Sequence, residues 1–525
     1  METHKRLALA AIAAAVTFAL IAFPSAVSHA QTLARAATVN GDVEGLSEDG
    51  LRVFKGIPYA APPVGDLRWR APRPAANWKG VRQAYAFGPA CPQAPSKDIL
   101  LDDMSEDCLT LNVWSPAHQP QSRLPVMVWL HGGAFENGSP RSTIYDGSNL
   151  ASRGVVMVTL QYRLGFFGFF GHPQLDEEAK AEGVPTANYG LLDQIAALEW
   201  VKNNIEAFGG DPANVTLFGE SAGGISILAL MTAPSARGLF QKAIIQSGGG
   251  RWVAPTLTAR SGKLLSAHEI GERAARAFRL QPGNPIAGLR SKSWQEIQEA
   301  LRIPELSDHS PFLDGRLLTG QIEEVFSKGE EAPIPLIVGA NSYEGVLLRK
   351  TLHVSTDEVM RAAGPELEEL SALYPPQLIM TPDFLADHIW GDANFVEPAR
   401  MIARDAAHNG QKVYNYNFDF QPPLLRLLGG TPHGLEVAYA LGNLRRVVPF
   451  PLGILMHPHN HEVSRWMTAY WTNFAKTGDP NGGGPIGWPP FTEQDEETFV
   501  FGNGGPSVQR DYLKDRLDLF KNVVW

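Results

Sequence analysis

The stretch that decides the fold reads VTLFGESAGG at residues 215–224. An apolar run passes directly into a Gly-x-Ser-x-Gly motif, and a helix-like run follows. This order predicts a buried strand, a tight turn and a helix. Small residues flank the serine because such a turn strains the backbone of its central residue. We therefore expect Ser221 to present its hydroxyl at the carboxyl end of a strand, beside a helix N-terminus.

Strand-like and helix-like segments alternate around this stretch. Helical patterns at residues 188–208, with Asn188 as a candidate cap, and 462–476 lie between apolar runs. The alternation predicts a mostly parallel sheet covered by helices, with ligands bound at the carboxyl ends of its strands. Residues 251–330 and 345–410 read as helical insertions that build walls over the site. We expect further strands at 38–43, 51–56, 126–130, 155–160, 243–246, 336–338 and 413–420.

Composition describes an ordinary globular chain with ample core. The 525 residues are 44% hydrophobic and 19% charged. Length alone suggests several domains, but no repeat or linker interrupts the chain after residue 30, which favours one domain over residues 31–525. The net charge of −10 argues against nucleic acid or anionic lipid as partners. Oligomeric state is left open.

The N-terminus has the pattern of a signal peptide at residues 1–30. Lys5 and Arg6 precede an apolar run at residues 7–23, and Ser-His-Ala at residues 28–30 forms a cleavage site. Cleavage after Ala36 and an uncleaved anchor are the alternatives. No later segment is long enough to span a membrane, so the mature protein is predicted to be secreted or periplasmic.

The chain has two cysteines, Cys91 and Cys108. In an exported protein this spacing favours one local disulfide. Two free buried thiols are the alternative.

A serine nucleophile needs a base within reach, and the base needs an orienting acid. In α/β hydrolases the chain order is serine, acid, histidine. Glu344 follows an apolar strand and precedes a glycine, and His433 lies on a loop bracketed by glycine and proline. Each taken alone could be an ordinary loop residue, so the prediction depends on their order.

Catalysis by acyl transfer also needs amide donors for the oxyanion. The Ala222 N–H follows the nucleophile at a helix N-terminus. The glycine-rich loop at residues 131–135, after the strand at 126–130, is expected to supply the others. We expect His131 itself to be structural.

Four blocks, at residues 54–65, 106–113, 208–223 and 471–481, resemble the type-B carboxylesterase/cholinesterase family of α/β hydrolases. The resemblance implies a single large domain with a mixed, mainly parallel sheet flanked by helices. It implies a Cys91–Cys108 disulfide. It also implies a serine hydrolase that cleaves small-molecule carboxylic esters through an acyl-enzyme, with no metal and no organic cofactor.

The resemblance also assigns roles to residues of this chain. Ala134 stands where the family often has a third glycine, so its methyl narrows the room beside the acyl carbonyl. Ser247 resembles a serine that contacts the triad, although a strand-end cap explains it equally well. The implied set is the triad of Ser221, Glu344 and His433, the oxyanion donors Gly133, Ala134 and Ala222, and the supporting residues Ser247 and Glu220.

One departure limits the specificity. Cholinesterases carry a choline-binding tryptophan in the loop closed by this disulfide, whereas residues 92–107 contain no aromatic residue here. A cation–π site at that place is therefore not expected. Amidase, lactonase or lipase-like activity is the enzymatic alternative, and a catalytically inactive binding or adhesion module is the non-enzymatic one.

Two other patterns have competing interpretations. His457, His459 and His461 alternate, which suits metal ligands, but Pro458 favours a loop before a helix at residue 462. Arg349 and Lys350 would favour an acidic substrate, although a solvated helix face explains them more simply.

Overall fold

The computed structural model describes residues 32–96, 99–117, 122–251, 253–281, 283–300, 309–346, 348–375, 381–422, 429–447 and 458–522. The predicted signal peptide lies outside the described residues and stays a prediction. By its contacts, Ala34–Trp525 forms one compact unit. No described helix is both long enough and apolar enough to cross a membrane.

Thirteen strands of the described residues form one sheet. They are β1 (Thr32–Thr38), β2 (Gly41–Glu48), β3 (Leu51–Pro58), β4 (Val81–Gln83), β5 (Thr110–Pro116), β6 (Leu124–Leu130), β7 (Val156–Leu160), β8 (Gly210–Glu220), β9 (Lys242–Gln246), β10 (Leu336–Asn341), β11 (Val413–Phe418), β12 (Thr498–Gly502) and β13 (Gly505–Gln509). Their spatial order is β1-β2-β3-β5-β7-β6-β8-β9-β10-β11-β12-β13, and β4 pairs with β2.

The sheet is mixed and mainly parallel, as predicted. Neighbouring strands from β7 to β12 pair in parallel, whereas β3–β5, β5–β7 and β12–β13 pair antiparallel. The prediction of one strand at residues 38–43 is wrong: β1 ends at Thr38 and β2 begins at Gly41. Gly41 has a φ of 139°, which side chains disfavour, so the chain turns there.

The described helices are α1 (Ser148–Ala151), α2 (Gly165–Gly168), α3 (Pro173–Glu182), α4 (Tyr189–Asn204), α5 (Ala222–Thr232), α6 (Ala267–Ala277), α7 (Pro285–Arg290), α8 (Trp294–Ala300), α9 (Ile322–Ser327), α10 (Leu348–Thr351), α11 (Thr356–Ala363), α12 (Leu367–Leu373), α13 (Pro382–Gly391), α14 (Glu397–His408), α15 (Val437–Ala440), α16 (Leu444–Val447), α17 (Pro458–Thr477) and α18 (Lys514–Leu519). A π-helix at Asp392–Val396 joins α13 to α14. The predicted insertion at residues 345–410 is largely helical, whereas the described part of residues 251–330 consists of the helices α6 to α9 separated by long loops.

Two predicted helices differ at their ends. Asn188 precedes α4, but its side chain makes no capping bond to the helix. It instead exchanges two 2.8 Å hydrogen bonds with the backbone of Phe312, so the capping prediction is wrong. Helix α17 begins at Pro458 rather than at the predicted residue 462, because proline suits the first turn, where an N–H has no helical partner.

The sheet separates two hydrophobic clusters. Alternate residues of β6 fall into different clusters, with Val128 on one face and Trp129 on the other, as the two-residue period of a strand requires. Leu228 of α5 belongs to the first cluster and Trp471 of α17 to the second. Helices therefore cover both faces of the central strands, and the loops at their ends are free to build a site.

Candidate active site

Ser221 lies at the turn between β8 and α5. Its backbone has φ 55° and ψ −124°, a conformation that a residue with a side chain rarely adopts. Its N–H donates to the carbonyl of Gln246 (2.9 Å), and its own carbonyl accepts from Ile225 (2.9 Å). The neighbouring strand and the helix thus hold the strained residue from both sides.

The two glycines of the motif are required by the end of β6. A Cβ at Gly223 would lie 2.1 Å from the carbonyl oxygen of Leu130, and one at Gly219 would lie 2.6 Å from it. Gly132 allows a third close approach, because a Cβ there would lie 3.0 Å from the Cβ of Ser221. These glycines let the loop after β6 lie directly against the serine.

That loop, residues 132–138, is called the oxyanion loop below. Gly133 has a φ of 117°, and Ala134 and Phe135 have φ values of 55° and 61°. The N–H groups of Glu136 (3.0 Å) and Asn137 (2.9 Å) both donate to the Gly133 carbonyl and close the turn. Among the described residues, no acceptor receives a hydrogen bond from the N–H groups of Gly133, Ala134 and Ala222.

Glu344 and His433 are in direct contact. The Nδ1 of His433 lies 2.5 Å from Glu344 Oε2, a geometry in which the imidazole N–H donates to the carboxylate. Glu344 is buried. Its other oxygen, Oε1, accepts hydrogen bonds from the Ser247 hydroxyl and the Asn341 N–H, both at 2.6 Å. Three donors therefore orient the carboxylate.

The loops that carry the acid and the base are also bonded to each other. The Tyr343 N–H donates to the Thr431 carbonyl (3.0 Å), and the Thr431 N–H donates to the Ser342 hydroxyl (3.0 Å). The side-chain amide of Asn341 donates to the Pro432 carbonyl at 2.8 Å. The position of Glu344 is thereby fixed relative to the residue just before His433.

The other imidazole nitrogen faces Glu220. His433 Nε2 lies 3.1 Å from Glu220 Oε1, and it has no hydrogen-bond partner among the described residues. The expected hydrogen bond from the Ser221 hydroxyl to Nε2 is therefore absent from this resting arrangement. In ligand-free structures such a bond is often long and forms only when substrate binds.

Burial and the neighbouring charge act in opposite directions on the pKa values of Glu220 and His433. Burial raises the pKa of Glu220 to about 8, although attraction to His433 opposes the rise. Burial lowers the pKa of His433, but the carboxylates of Glu220 and Glu344 raise it more strongly, to about 9. The neighbouring carboxylates thus favour the charged imidazole.

Sequence reasoning missed a third carboxylate in this cluster. Glu436 is fully buried and accepts hydrogen bonds from the side chains of Gln246 (3.1 Å) and Asn341 (2.5 Å). Burial raises its pKa to about 6, and repulsion from Glu344 adds to the rise. The available signal was its position three residues after the predicted base.

Phe395 was also missed. Its ring centroid lies 4.8 Å from that of His433, and it lies on the π-helix between α13 and α14. Single π-turns inside helices are frequent at functional sites. Nothing local marks this phenylalanine, because only the packing of the insertion brings it to the imidazole.

The predicted disulfide is confirmed: Cys91 and Cys108 are bonded, with Cα atoms 5.1 Å apart. The segment they close, residues 91–108, is called the disulfide loop. Gln93 connects it to the oxyanion loop, because its side-chain amide donates to the Gly138 carbonyl and accepts from the Gly138 N–H, both at 2.9 Å. One glutamine thus joins the two loops.

Three other predictions concern basic residues. His131 is fully buried and stacks on Tyr162 with centroids 4.4 Å apart, and burial lowers its pKa to about 4. The geometry supports its structural role. Arg349 does not lie on a solvated helix face: it is buried, and its Nε donates to Asp387 at 2.6 Å. Lys350 is exposed and lies 3.2 Å from Asp383.

The histidine run holds no metal-ligand arrangement in the part that is described. His459 lies in the first turn of α17, with Nδ1 3.1 Å from Glu462 Oε2, and His457 lies outside the described residues. Within those residues, no group of three histidine, cysteine or acidic side chains could hold a metal ion.

The sequence matches the carboxylesterase family over residues 30–370 and 385–520. It is 38% identical to a para-nitrobenzyl esterase of Bacillus subtilis over 483 residues, which cover 88% of this chain and 94% of that protein. It is 34% identical to the cocaine esterase of Homo sapiens over 523 residues, which cover 90% of this chain and 88% of that protein.

Solved structures give the same result. A carboxylesterase of Geobacillus stearothermophilus superimposes with a TM-score of 0.81 at 34% identity, covering 93% of this chain and 99% of that one. A para-nitrobenzyl esterase superimposes with a TM-score of 0.75 at 35% identity, with the same coverage. The fold is that of the α/β hydrolases.

Proposed function

We propose a mechanism from one premise: this chain belongs to the carboxylesterase family and is a carboxylic ester hydrolase of type B. The Ser221 hydroxyl attacks the ester carbonyl while His433 accepts its proton. The carbonyl oxygen becomes an oxyanion that the N–H groups of Gly133, Ala134 and Ala222 stabilise.

Collapse of this intermediate leaves an acyl group on Ser221, and His433 gives its proton to the departing alcohol. His433 then takes a proton from water, which attacks the acyl carbonyl; when the bond between the carbonyl carbon and Ser221 Oγ breaks, His433 returns the proton to Ser221 and the acid is released. The side chain of Glu344 holds Nδ1 of the imidazole, so that Nε2 is the atom that exchanges protons. Glu220 and Ser247 support this pair through their contacts with His433 and Glu344.

The contact between Glu344 and His433 carries the proposal. Their 2.5 Å hydrogen bond joins two loops that are 89 residues apart in the chain. The strained Ser221 backbone and the unpaired amides on both sides of it supply the remaining groups. His433 Nε2 must leave Glu220 and approach the Ser221 hydroxyl when an ester binds.

The test uses p-nitrophenyl acetate and a fluorophosphonate label. We expect the purified protein to hydrolyse the ester, and the label to add its mass to the peptide that contains Ser221. The variant Ser221→Ala should unfold at the same temperature yet take no label and show no turnover above background. Labelling of another residue, or full activity of the folded variant, would refute the proposed nucleophile.

We also propose that the protein is exported and acts in the periplasm or outside the cell. The charged and apolar pattern of residues 1–30 supports this location, and so does the Cys91–Cys108 disulfide, because such bonds persist in oxidising compartments. Fractionation of cells that express the full chain tests the proposal. Intact protein confined to the cytoplasm would contradict it.

A further inference from the structure

A cavity of about 380 Å³ lies beside the oxyanion loop. The disulfide loop, residues Glu136 and Asn137, and helix α8 line it, together with His309. Its volume falls within the range of roughly 300–1,000 Å³ that is usual for small-molecule sites. Neither Ser221 nor His433 lines it, so its chemistry is not part of the mechanism above.

Three side-chain amides that line this cavity are available to form hydrogen bonds with a ligand. Asn137, Gln295 and Gln298 make no side-chain hydrogen bond to any described residue. Each amide offers two donor hydrogens and one acceptor oxygen. Unused amides from two separate segments therefore meet at one opening.

His309 contributes a buried polar group to the same wall. Its side chain is 2% exposed, its Nδ1 lies 3.4 Å from Glu136 Oε1, and its Nε2 has no partner among the described residues. Buried polar atoms normally have a hydrogen-bond partner, and one without it calls for an explanation. A ligand that forms hydrogen bonds with the polar groups around His309 in this cavity is such an explanation.

The charge of the lining selects among ligands. Glu136 and Glu299 line the cavity, and no lysine or arginine does so among the described residues. An anionic group is therefore disfavoured. Amides both donate and accept, and carboxylates accept, which matches hydroxyl groups because they too donate and accept. Trp294 and Leu101 add an apolar surface to the lining, which suits the carbon face of a ring.

The cavity lies close to the oxyanion donors. Because the Glu136 N–H donates to the Gly133 carbonyl (3.0 Å), these residues are the ends of one tight turn, whose Cα atoms are separated by less than about 7 Å. A substrate whose carbonyl oxygen is bound at Gly133 can therefore extend its remote part into the cavity.

We propose that this cavity is a subsite for a polyhydroxylated part of the substrate, such as the sugar ring of an acylated carbohydrate. The inference rests on the proposed function and adds a substrate class to it. Asn137, Gln295 and Gln298 bind the hydroxyl groups, and Trp294 packs against the ring.

The experiment compares two acetyl esters of primary alcohols that differ in their hydroxyl groups: glucose 6-acetate and cyclohexylmethyl acetate. The acyl transfer is the same, so the ratio of their kcat/KM values reports recognition of the ring. We expect the wild type to favour the glucose ester by at least about tenfold, since several hydrogen bonds are lost with the cyclohexyl ring.

The double variant Gln295→Leu/Gln298→Leu should reduce this ratio towards one. Gln83→Leu/Gln509→Leu, which changes two exposed glutamines on β4 and β13, should keep it. If the double variant does not fold, Gln295→Leu and Gln298→Leu are measured singly, and each should lower the ratio in part.

A wild-type ratio near one, or a ratio that the folded α8 variants leave unchanged, overturns the subsite while hydrolysis of p-nitrophenyl acetate upholds the proposed function. A clear preference for (4-aminocyclohexyl)methyl acetate over the glucose ester also overturns it, because that result marks a cation site. A wild type inactive on every ester overturns the proposed function and the subsite together.

Discussion

His433 Nε2 lies 3.1 Å from the carboxylate of Glu220, the residue directly before Ser221. The nitrogen that must take the serine proton is thus held beside an acid in the resting protein. Glu344 binds the opposite nitrogen at 2.5 Å, so the imidazole lies between two carboxyl groups. Both favour its protonated form, whereas a general base must be neutral.

Glu220→Gln should move the acid limb of the pH profile to lower pH. The Glu220 carboxylate helps to raise the pKa of His433 to about 9, so its removal lowers that pKa, and more imidazole is neutral at a given pH below that value. The shift should be about one pH unit, as expected for one charge at this distance. The profile of kcat/KM against pH measures it in the free enzyme. An unmoved limb would contradict the role of Glu220.

Gly223→Ala should destabilise the protein by about 3 kcal/mol and abolish most activity. Its Cβ would lie 2.1 Å from the Leu130 carbonyl oxygen, so the nucleophile turn or the end of β6 must shift. Gly504→Ala is the matched control, because a Cβ there meets nothing within 4 Å. Denaturant unfolding and p-nitrophenyl acetate turnover compare the two. Equal stability of both variants would show that the close approach is not needed.

Asn341→Ala should lower kcat/KM about tenfold. The change removes the side-chain bonds to the Pro432 carbonyl and to Glu436, which leaves a buried carboxylate with one donor fewer and loosens the loop of His433. Asn473→Ala, which removes a similar bond to the Asn481 carbonyl, should keep full activity. The acid limb of the pH profile should also move in Asn341→Ala, since the imidazole loses its fixed relation to Glu344. A decrease in stability alone would indicate a purely structural role.

Ala134→Gly should stabilise the protein by about 1 kcal/mol and widen its acyl range. Ala134 has a φ of 55°, which costs a residue with a Cβ roughly that amount relative to glycine. The loss of the methyl group also gives room beside the acyl carbonyl. The ratio of kcat/KM for p-nitrophenyl pivalate to that for the acetate should rise, and urea unfolding should require more denaturant. A ratio that does not rise would show that the methyl group does not limit the acyl group.

Cys91→Ser/Cys108→Ser should lower the free energy of unfolding by about 3 kcal/mol, the value that chain entropy gives for a loop of this length. The melting temperature of the variant and of reduced wild-type protein should fall together. Reductant added to the double variant is the control and should change nothing further. Equal melting temperatures with and without the bond would refute this contribution.

The nucleophile turn was readable from the sequence because its motif is local. Gly219, Ser221 and Gly223 lie within five residues, although the contact that requires both glycines is made by the Leu130 carbonyl at the end of β6. Glu344 and His433 carry weaker local signals, and their selection depended on chain order and on the family resemblance.

Residues brought in by long-range packing were not readable. Phe395 reaches His433 only because a π-turn joins α13 to α14. Arg349 read as a surface cation, yet α13 covers it and Asp387 neutralises it. Asn188 was predicted to cap a helix, but the backbone of Phe312, 124 residues away, offers the Asn188 side chain both a donor and an acceptor. In each case the deciding partner lies far along the chain.

The bond between Gln93 and Gly138 has a practical consequence for recombinant production. In a reducing cytosol Cys91 and Cys108 remain reduced thiols, so the disulfide loop that positions Gln93 is not closed. The oxyanion loop then loses a fixed support. The nucleophile turn does not depend on the disulfide, because Gln246 and α5 hold the backbone of Ser221. Protein made in such a host would therefore react with a fluorophosphonate yet turn over esters slowly, and a titration of labelled sites would overestimate the competent enzyme in the preparation.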